Sequence, residues 1–378
     1  MMISVLSRFL TEIRLNLVIL TKSLKFAASL QNSSFDFFMN HHKIIDWRNG
    51  CPVYTILSPA AYSDVQAHLI STKLRGLFQN RRFPDIVNLS LTNKCNCDCD
   101  HCCLRYEKQK GKEMTTEEAI DVIKQCQDLG VSLINFLGRE PLLRKDILDV
   151  IRSVDKKRSA TVMFTCGYYL EEYAGKLKEA GLDSIAVSID SHIPERHDSI
   201  KKVKGIFERA IRGIKAAKKA GLTVAISCCV DEKSVKDGTL VNIIELGKKL
   251  GINEIIVFDA IPVGNISNRK DLYYEKEWIQ DILDITKRYN ERADYPGIYV
   301  YAYIRSYKGI GCGGGNYFSI NPWGELCMCE GIKKSRGNVL KTPLYLLWDQ
   351  LSTHADFCRA SWKGCKMKDP EYRKSYNI

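Results

Sequence analysis

The chain has 378 residues, 45% of them hydrophobic, and a formal charge of +12, enough to bury a sizeable core as one large domain with appendages or as two domains. Its Lys and Arg are scattered rather than gathered into a dense basic tract, so the charge does not choose among acidic partners, and nucleic acid is the least expected of them. Ten of the fifteen cysteines fall in two short regions, Cys95–Cys103 and Cys312–Cys365, a crowding that suits metal chelation in a reducing cytoplasm and not a secreted disulfide framework.

The first segment, Met1–Leu30, is apolar with isolated cations at Arg8, Arg14, Lys22 and Lys25 and one acid, Glu12. Its clean apolar runs, such as Leu17–Leu20, fall far short of the roughly 20 residues that span a bilayer, and the interruptions make a poor secretory segment. Two readings stand at equal weight. One is a basic amphipathic helix making peripheral membrane contact through residues 1–30; the other is a helix packed on the next domain.

From about residue 84 one phrase repeats: amphipathic helix, glycine, apolar run. The junctions are Leu129-Gly130-Val131, Ala180-Gly181-Leu182, Ala220-Gly221-Leu222 and Leu250-Gly251-Ile252. Glycine past a helix end takes the left-handed conformation cheaply and stops the helix. The runs Ile86–Leu91, Ser132–Phe136, Thr161–Phe164, Ser184–Val187, Thr223–Ser227 and Glu254–Phe258 suit strands buried on both faces of a parallel sheet. Thr115 and Glu118 form a capping box before the stripe Ala119, Val122, Ile123 and Cys126. Further stripes are Ile147, Val150, Ile151 and Val154, then Trp278, Ile282, Ile285 and Tyr289. About six right-handed βα units predict an α/β fold, a partial (β/α)6 TIM-like barrel with active residues at the C-terminal strand ends. The domains expected are a helical N-terminal extension (1–83), the barrel (84–290) and a small Cys-rich C-terminal module (291–378).

Directly after the first predicted strand comes Leu91-Thr92-Asn93-Lys94-Cys95-Asn96-Cys97-Asp98-Cys99-Asp100-His101-Cys102. Cys95, Cys99 and Cys102 are spaced C-x3-C-x2-C. Three thiolates can hold three irons of a cubane and leave the fourth open, whereas a structural zinc site takes four protein ligands. A shifted register through Cys99 and Cys103 is the alternative; Cys97 and Cys103 are otherwise packed or spare thiols. The stretch resembles the radical S-adenosylmethionine (SAM) superfamily, whose members often read L-T-x-x-C-N-x-x-C-x-x-C, over roughly Pro84 to Lys366.

The resemblance implies a [4Fe–4S] cluster on these three cysteines with SAM on its open iron, and places His101 near adenine. It extends to other strand ends. Gly138-Arg139-Glu140-Pro141 is similar to a G-G-E-P motif that meets the SAM amino group, with Arg139 in place of the second glycine. Ser188-Ile189-Asp190 and His197-Asp198 match landmarks in which Ser188 meets SAM and Asp190 serves substrate or cofactor, the latter being the one catalytic candidate. Pro262-Val263-Gly264 is similar to a P-x-G turn near adenine.

The C-terminal region reads Cys312-Gly313-Gly314-Gly315, then a hairpin turning at Pro322-Trp323-Gly324, then Cys327, Cys329, Cys358 and Cys365. It resembles the SPASM/twitch extensions of the same superfamily, which implies one auxiliary [4Fe–4S] cluster on Cys312, Cys329, Cys358 and Cys365. Cys327 competes with Cys329, and Cys365 is the loosest in spacing; a zinc module is the competing reading. The chemistry implied is one-electron reduction by a flavodoxin or ferredoxin, cleavage of SAM to a 5′-deoxyadenosyl radical, and hydrogen abstraction. The expected substrate is a small metabolite that is oxidised or rearranged. A peptide and a membrane lipid or isoprenoid are the alternatives, and a non-catalytic zinc protein binding nucleic acid is the alternative of another class.

Overall fold

A computed structural model describes residues 43–104, 111–273, 278–301, 316–354 and 365–376. The segment Met1–Leu30 and the candidate ligands Cys312 and Cys358 lie outside the described residues. The strands are β1 (Asp46–Arg48), β2 (Cys51–Val53), β3 (Ile86–Ser90), β4 (Leu133–Leu137), β5 (Ala160–Thr165), β6 (Ser184–Ser188), β7 (Thr223–Val230), β8 (Glu254–Asp259), β9 (Gly297–Val300), β10 (Tyr317–Ile320) and β11 (Leu326–Cys327). The helices are α1 (Asp64–Gln79), α2 (Thr116–Leu129), α3 (Ile147–Arg152), α4 (Leu170–Glu179), α5 (Pro194–Lys201), α6 (Ile206–Lys219), α7 (Glu232–Lys236), α8 (Thr239–Leu250), α9 (Trp278–Asn290), α10 (Leu344–Thr353) and α11 (Pro370–Lys374).

All six expected strands form, and the sheet is larger than they are. Its nine strands run β11-β10-β3-β4-β5-β6-β7-β8-β9, parallel from β10 through β9 with β11 antiparallel at the edge. The order is open rather than closed, as a partial TIM-like barrel requires. Gly130, Gly181, Gly221 and Gly251 all have positive φ at the helix ends, and Thr115 and Glu118 make the capping box of α2. The sheet does not stop at Asn290, because β9 pairs with β8. The expected hairpin of the C-terminal region is β10–β11, and β10 also pairs in parallel with β3.

Ahead of the sheet, β1 and β2 form a hairpin where the sequence reading expects helix only. Asn49 and Gly50, at φ 50° and 76°, make the turn, and Asn-Gly is the pair that such a two-residue loop favours.

Strand alternation sorts the side chains into two layers. The outward positions pack under the helices in one continuous core that includes Val87, Phe136, Met163, Ile226, Phe318 and Trp348. The inward positions are small or branched in the middle, with Leu133, Ala160, Val162, Ala186, Ala225 and Ile256 meeting Ile56, Leu57 and Val65 of the N-terminal segment. That segment plugs the N-terminal end of the sheet. Arg48 donates to Ser184 Oγ at 2.8 Å, and the Ile56 N–H donates to Glu254 Oε2 at 3.0 Å. Further along the same strands the inward positions are Asn88, Ser90, Asn135, Phe164, Ser188 and Phe258, and Phe164 and Phe258 pack, with Tyr301, against that inner cluster.

Candidate active site

The cysteine loop begins where β3 ends. Leu91 N–H donates to Leu137 O at 3.0 Å. Glu113 accepts from Thr92 Oγ1 at 2.9 Å and from the Asn93 N–H at 2.7 Å, which fixes the Leu-Thr-Asn lead-in. Further along, the N–H groups of Asp98 and Asp100 donate to the carbonyls of Lys201 and Ile200 at 3.2 and 3.3 Å. Those are carbonyls of the last turn of α5, which need partners from outside the helix.

Cys95, Cys99 and Cys102 are half-buried free thiols on this loop. Cys97 is buried, and its side chain hydrogen-bonds with Cys95, Cys99 and Cys166. The Cys97 contact, and to a lesser degree other neighbours, lowers the Cys99 thiol to about 7 and lowers Cys95 as well. Burial pushes Cys102 up. Among the described residues no three His, Cys, Asp or Glu side chains converge as one mononuclear metal ion demands. A cubane spreads its three protein ligands over three irons, so such convergence is not what it needs. Three thiols on one strand-end loop suit that cluster.

The loop after β4 docks on this one. Arg139 and Glu140 N–H groups donate to the carbonyls of Thr92 and Lys94 at 3.1 and 3.0 Å. Gly138 sits at φ 144°, where an added Cβ would lie 2.9 Å from Thr92 O, so this glycine is needed for the close approach. Arg139 is not among the positive-φ residues; an arginine is therefore unstrained there, and its guanidinium donates to Cys97 O at 3.3 Å.

Glu140 is fully buried. Its carboxylate accepts from Thr165 Oγ1 at 2.8 Å, the Cys166 N–H at 2.8 Å and the Leu142 N–H at 3.1 Å. Its side chain thus ties the β4 and β5 ends together. Pro141 starts a short 3-10 turn.

At the β6 end Ser188 and Asp190 share one cation. Lys201 Nζ donates to Ser188 Oγ at 2.7 Å and lies 2.6 Å from Asp190 Oδ2, with both charged side chains 3% exposed. Asp190 also accepts from the Cys229 N–H at 2.9 Å and lies 3.5 Å from His101 Nε2. Burial alone would raise the Asp190 carboxyl; Lys201, His101 and His197 beside it outweigh that and hold it well below the usual range. Asp190 is consequently an anchor for His101 and Lys201 in this geometry.

The loop after β8 completes the ring of strand ends. Asn265 donates through its N–H to Cys102 O at 3.2 Å and through Nδ2 to Cys99 O at 2.8 Å. Pro262 O accepts from buried Arg373, and Lys368 pairs with Asp259 at 2.5 Å, so the C-terminal segment clamps this loop. Cys329 and Cys365 belong to the same region: Gly331 lies against both Cys329 Sγ and Met367. Cys327 is buried and Cys329 half-buried.

The sequence reading gave no role to Lys201, which follows the His197-Asp198 landmark, nor to Cys166 and the inward pair Asn88 and Asn135. Cys166 directly follows β5 and was open to the strand-end rule. Lys201 stands three residues past that landmark, but its partners, 11 and 13 residues back across a turn, are brought to it only by the fold.

Comparison with known proteins agrees with this architecture. The family model described as Radical SAM superfamily matches residues 89–246. The probable GTP 3′,8-cyclase of Saccharolobus solfataricus is 30% identical over 64% of this chain and 82% of its own length. The AdoMet-dependent heme synthase of Methanosarcina barkeri is 27% identical over 77% of this chain and 86% of its own length. Among solved structures, Streptococcus suis SuiB bound to S-adenosylmethionine superposes with a TM-score of 0.63 at 14% identity, covering 81% of this chain and 80% of that one.

Proposed function

The chain belongs to the radical SAM superfamily, and from that premise we propose that it abstracts hydrogen from a small metabolite, which it oxidises or rearranges. The superfamily's cofactors are a [4Fe–4S] cluster and SAM. The observation that carries the reading is the loop of Cys95, Cys99 and Cys102 at the β3 end, held among the ends of β4, β6 and β8. On this reading those three cysteines hold the cluster. Bound there, the cluster would supply one-electron reductive cleavage of SAM, the source of the radical needed for hydrogen abstraction.

The residues around the loop serve that chemistry by position. Glu140 locks the β4 and β5 ends, Lys201 orients Ser188 and Asp190, and Asp190 sets His101 where adenine is expected. Gly138 and Pro262 shape the loops on either side. Cys329 and Cys365, with Cys312 and Cys358, are proposed to hold one auxiliary [4Fe–4S] cluster. A flavodoxin or ferredoxin is the proposed donor, an acidic carrier suiting the +12 charge.

Small-molecule work is supported by the names of the two curated relatives, a GTP cyclase and a heme synthase. The likeness to SuiB, solved also with its precursor peptide, is at 13–14% identity and bears on the fold alone. Membership of the superfamily sets the zinc-protein alternative aside. Among the described residues no helix is long and apolar enough to cross a membrane.

The test is anaerobic reconstitution with iron and sulfide, followed by dithionite, SAM and quantified 5′-deoxyadenosine. About eight irons per chain would match two cubanes and about four the first alone. Reconstituted protein that makes no 5′-deoxyadenosine, with GTP or a porphyrin present, would sink the proposal.

A further inference from the structure

The end of the sheet opposite the cysteine loop has a chemistry of its own. Helices α4, α6 and α8 finish there, each a few residues before the strand that follows it, and their last turns are rich in lysine. Lys178 Nζ donates to Gly221 O at 2.6 Å, Lys218 Nζ to Leu250 O at 2.9 Å and Lys43 Nζ to Arg292 O at 2.8 Å. A carbonyl fixes an ammonium group without cancelling its charge. Lys157, just before β5, stands exposed on the same end with Lys219 and Lys249. Asp128, Asp183 and Asp294 are taken by Arg158, Lys156 and Lys248. Asp155, Glu179 and Glu291 leave the lysines in excess.

Lysines at helix C-termini are ordinary, because they meet the last carbonyls and the helix dipole. The aromatic residues among them are not. On β1, Asp46 accepts from Thr223 Oγ1 and Arg48 donates to Ser184 Oγ, so both face the sheet. Strand alternation turns Trp47, between them, the other way, and it is 61% exposed. Its cross-strand partner is Pro52, whose carbonyl accepts from the Ala61 N–H at 2.8 Å. That bond sets Tyr62 beside the hairpin, 87% exposed and at φ 63°. A bulky side chain adopts this left-handed backbone only under strain, and the Tyr62 N–H holds it by donating to Gln66 Oε1 at 2.7 Å.

We propose that this end of the sheet docks on an anionic bilayer surface, with Trp47 and Tyr62 entering the headgroup layer and the lysines meeting lipid phosphates. Trp and Tyr suit that layer because each has an apolar body and a polar tip. Lysines close to an anionic surface are attracted to it within a Debye length. A single strand of nucleic acid is instead tracked by a basic groove, whereas here Ile56, Leu57 and Val65 plug the mouth of the sheet. Docked this way, the strand ends that carry the cysteine loop point away from the lipid, which suits a substrate arriving from water.

Co-sedimentation of the full chain, purified anaerobically, with phosphatidylcholine vesicles made with and without phosphatidylserine tests this. Binding about tenfold or more tighter to the anionic vesicles is expected, weakening as salt is added. Tryptophan emission should shift to the blue on those vesicles, and Trp47→Phe should remove the shift. Trp47→Ala should weaken binding about tenfold, and Lys219→Gln with Lys249→Gln about fivefold per charge removed. All three positions are exposed, and circular dichroism checks that the variants fold. Equal binding to both vesicles, binding to neither, or variants that bind like the parent overturn the assignment. So does a chain lacking Met1–Leu30 that loses binding while the Trp47 and lysine variants keep it, which moves the contact to that segment. Polyuridylate that displaces the chain from anionic vesicles and is bound more tightly than they are overturns it in favour of nucleic acid. SAM cleavage is read on the same samples after reconstitution; its absence counts against the radical reading and leaves the docking face standing.

Discussion

Replacing Glu254 with glutamine should make the protein more stable, and increasingly so as pH rises. Glu254 opens β8 with its side chain on the inward face, 1% exposed, where it accepts from the Ile56 N–H at 3.0 Å and from the Thr55 side chain. Burial pushes its carboxyl up to about 8, and the two hydrogen bonds offset only part of that. In the unfolded chain a glutamate titrates near 4.3. Between those values the folded protein holds a proton that the unfolded chain has released, so stability falls as pH rises through the window and levels off above about pH 8.

The slope is at most about 1.4 kcal/mol per pH unit, or roughly 3 kcal/mol between pH 5.5 and 7.5. Glu254→Gln keeps the shape and one acceptor but has no charge to release. The stability difference between variant and parent should therefore widen by about 2–3 kcal/mol over that range. Urea unfolding followed by tryptophan fluorescence and circular dichroism at both pH values measures it. A difference that stays flat, or narrows, refutes the assignment of a protonated carboxyl under the N-terminal plug.

Three other outcomes follow from the site. Lys201→Met strands Asp190, 3% exposed, without its cation, and should cost about 3–5 kcal/mol in denaturant unfolding; Lys201→Met with Asp190→Asn should recover part of it, and a single-variant loss below about 1 kcal/mol would show that the two are not a coupled pair. Gly138→Ala adds a Cβ 2.9 Å from Thr92 O at φ 144°, so it should destabilise by about 1–3 kcal/mol and weaken SAM retention in dialysis, and unchanged retention would remove Gly138 from the pocket. Cys95→Ala should lose about four irons per chain and all 5′-deoxyadenosine formation, while Cys103→Ala keeps both; the reverse pattern would establish the shifted register through Cys99 and Cys103.

Much of the sheet was legible because its signals are local. The glycines after α2, α4, α6 and α8 end helices by their own backbone freedom, and buried parallel strands leave uninterrupted apolar runs. The hairpin of β1 and β2 was equally local, announced by Asn49-Gly50, and was passed over in favour of helix. The joining of β10 to β3 was not local: it brings Tyr317 to Ile86 across more than 200 residues, and nothing in either strand's alternation names the other as its partner.

The site divides in the same way. Cys95, Cys99 and Cys102 declare themselves by spacing and by following a strand, and spacing is a property of the chain alone. What Glu140, Asp190 and Arg139 do was decided by packing. Glu140 faces three donors from its own turn and the β5 end, Asp190 is taken by a lysine on α5, and Arg139 lies in ordinary backbone over the cysteine loop. A motif specifies which residues stand at a strand end. Only the fold decides which of their polar atoms are left for a ligand, because a buried carboxylate spent on protein donors and one still open look the same in sequence.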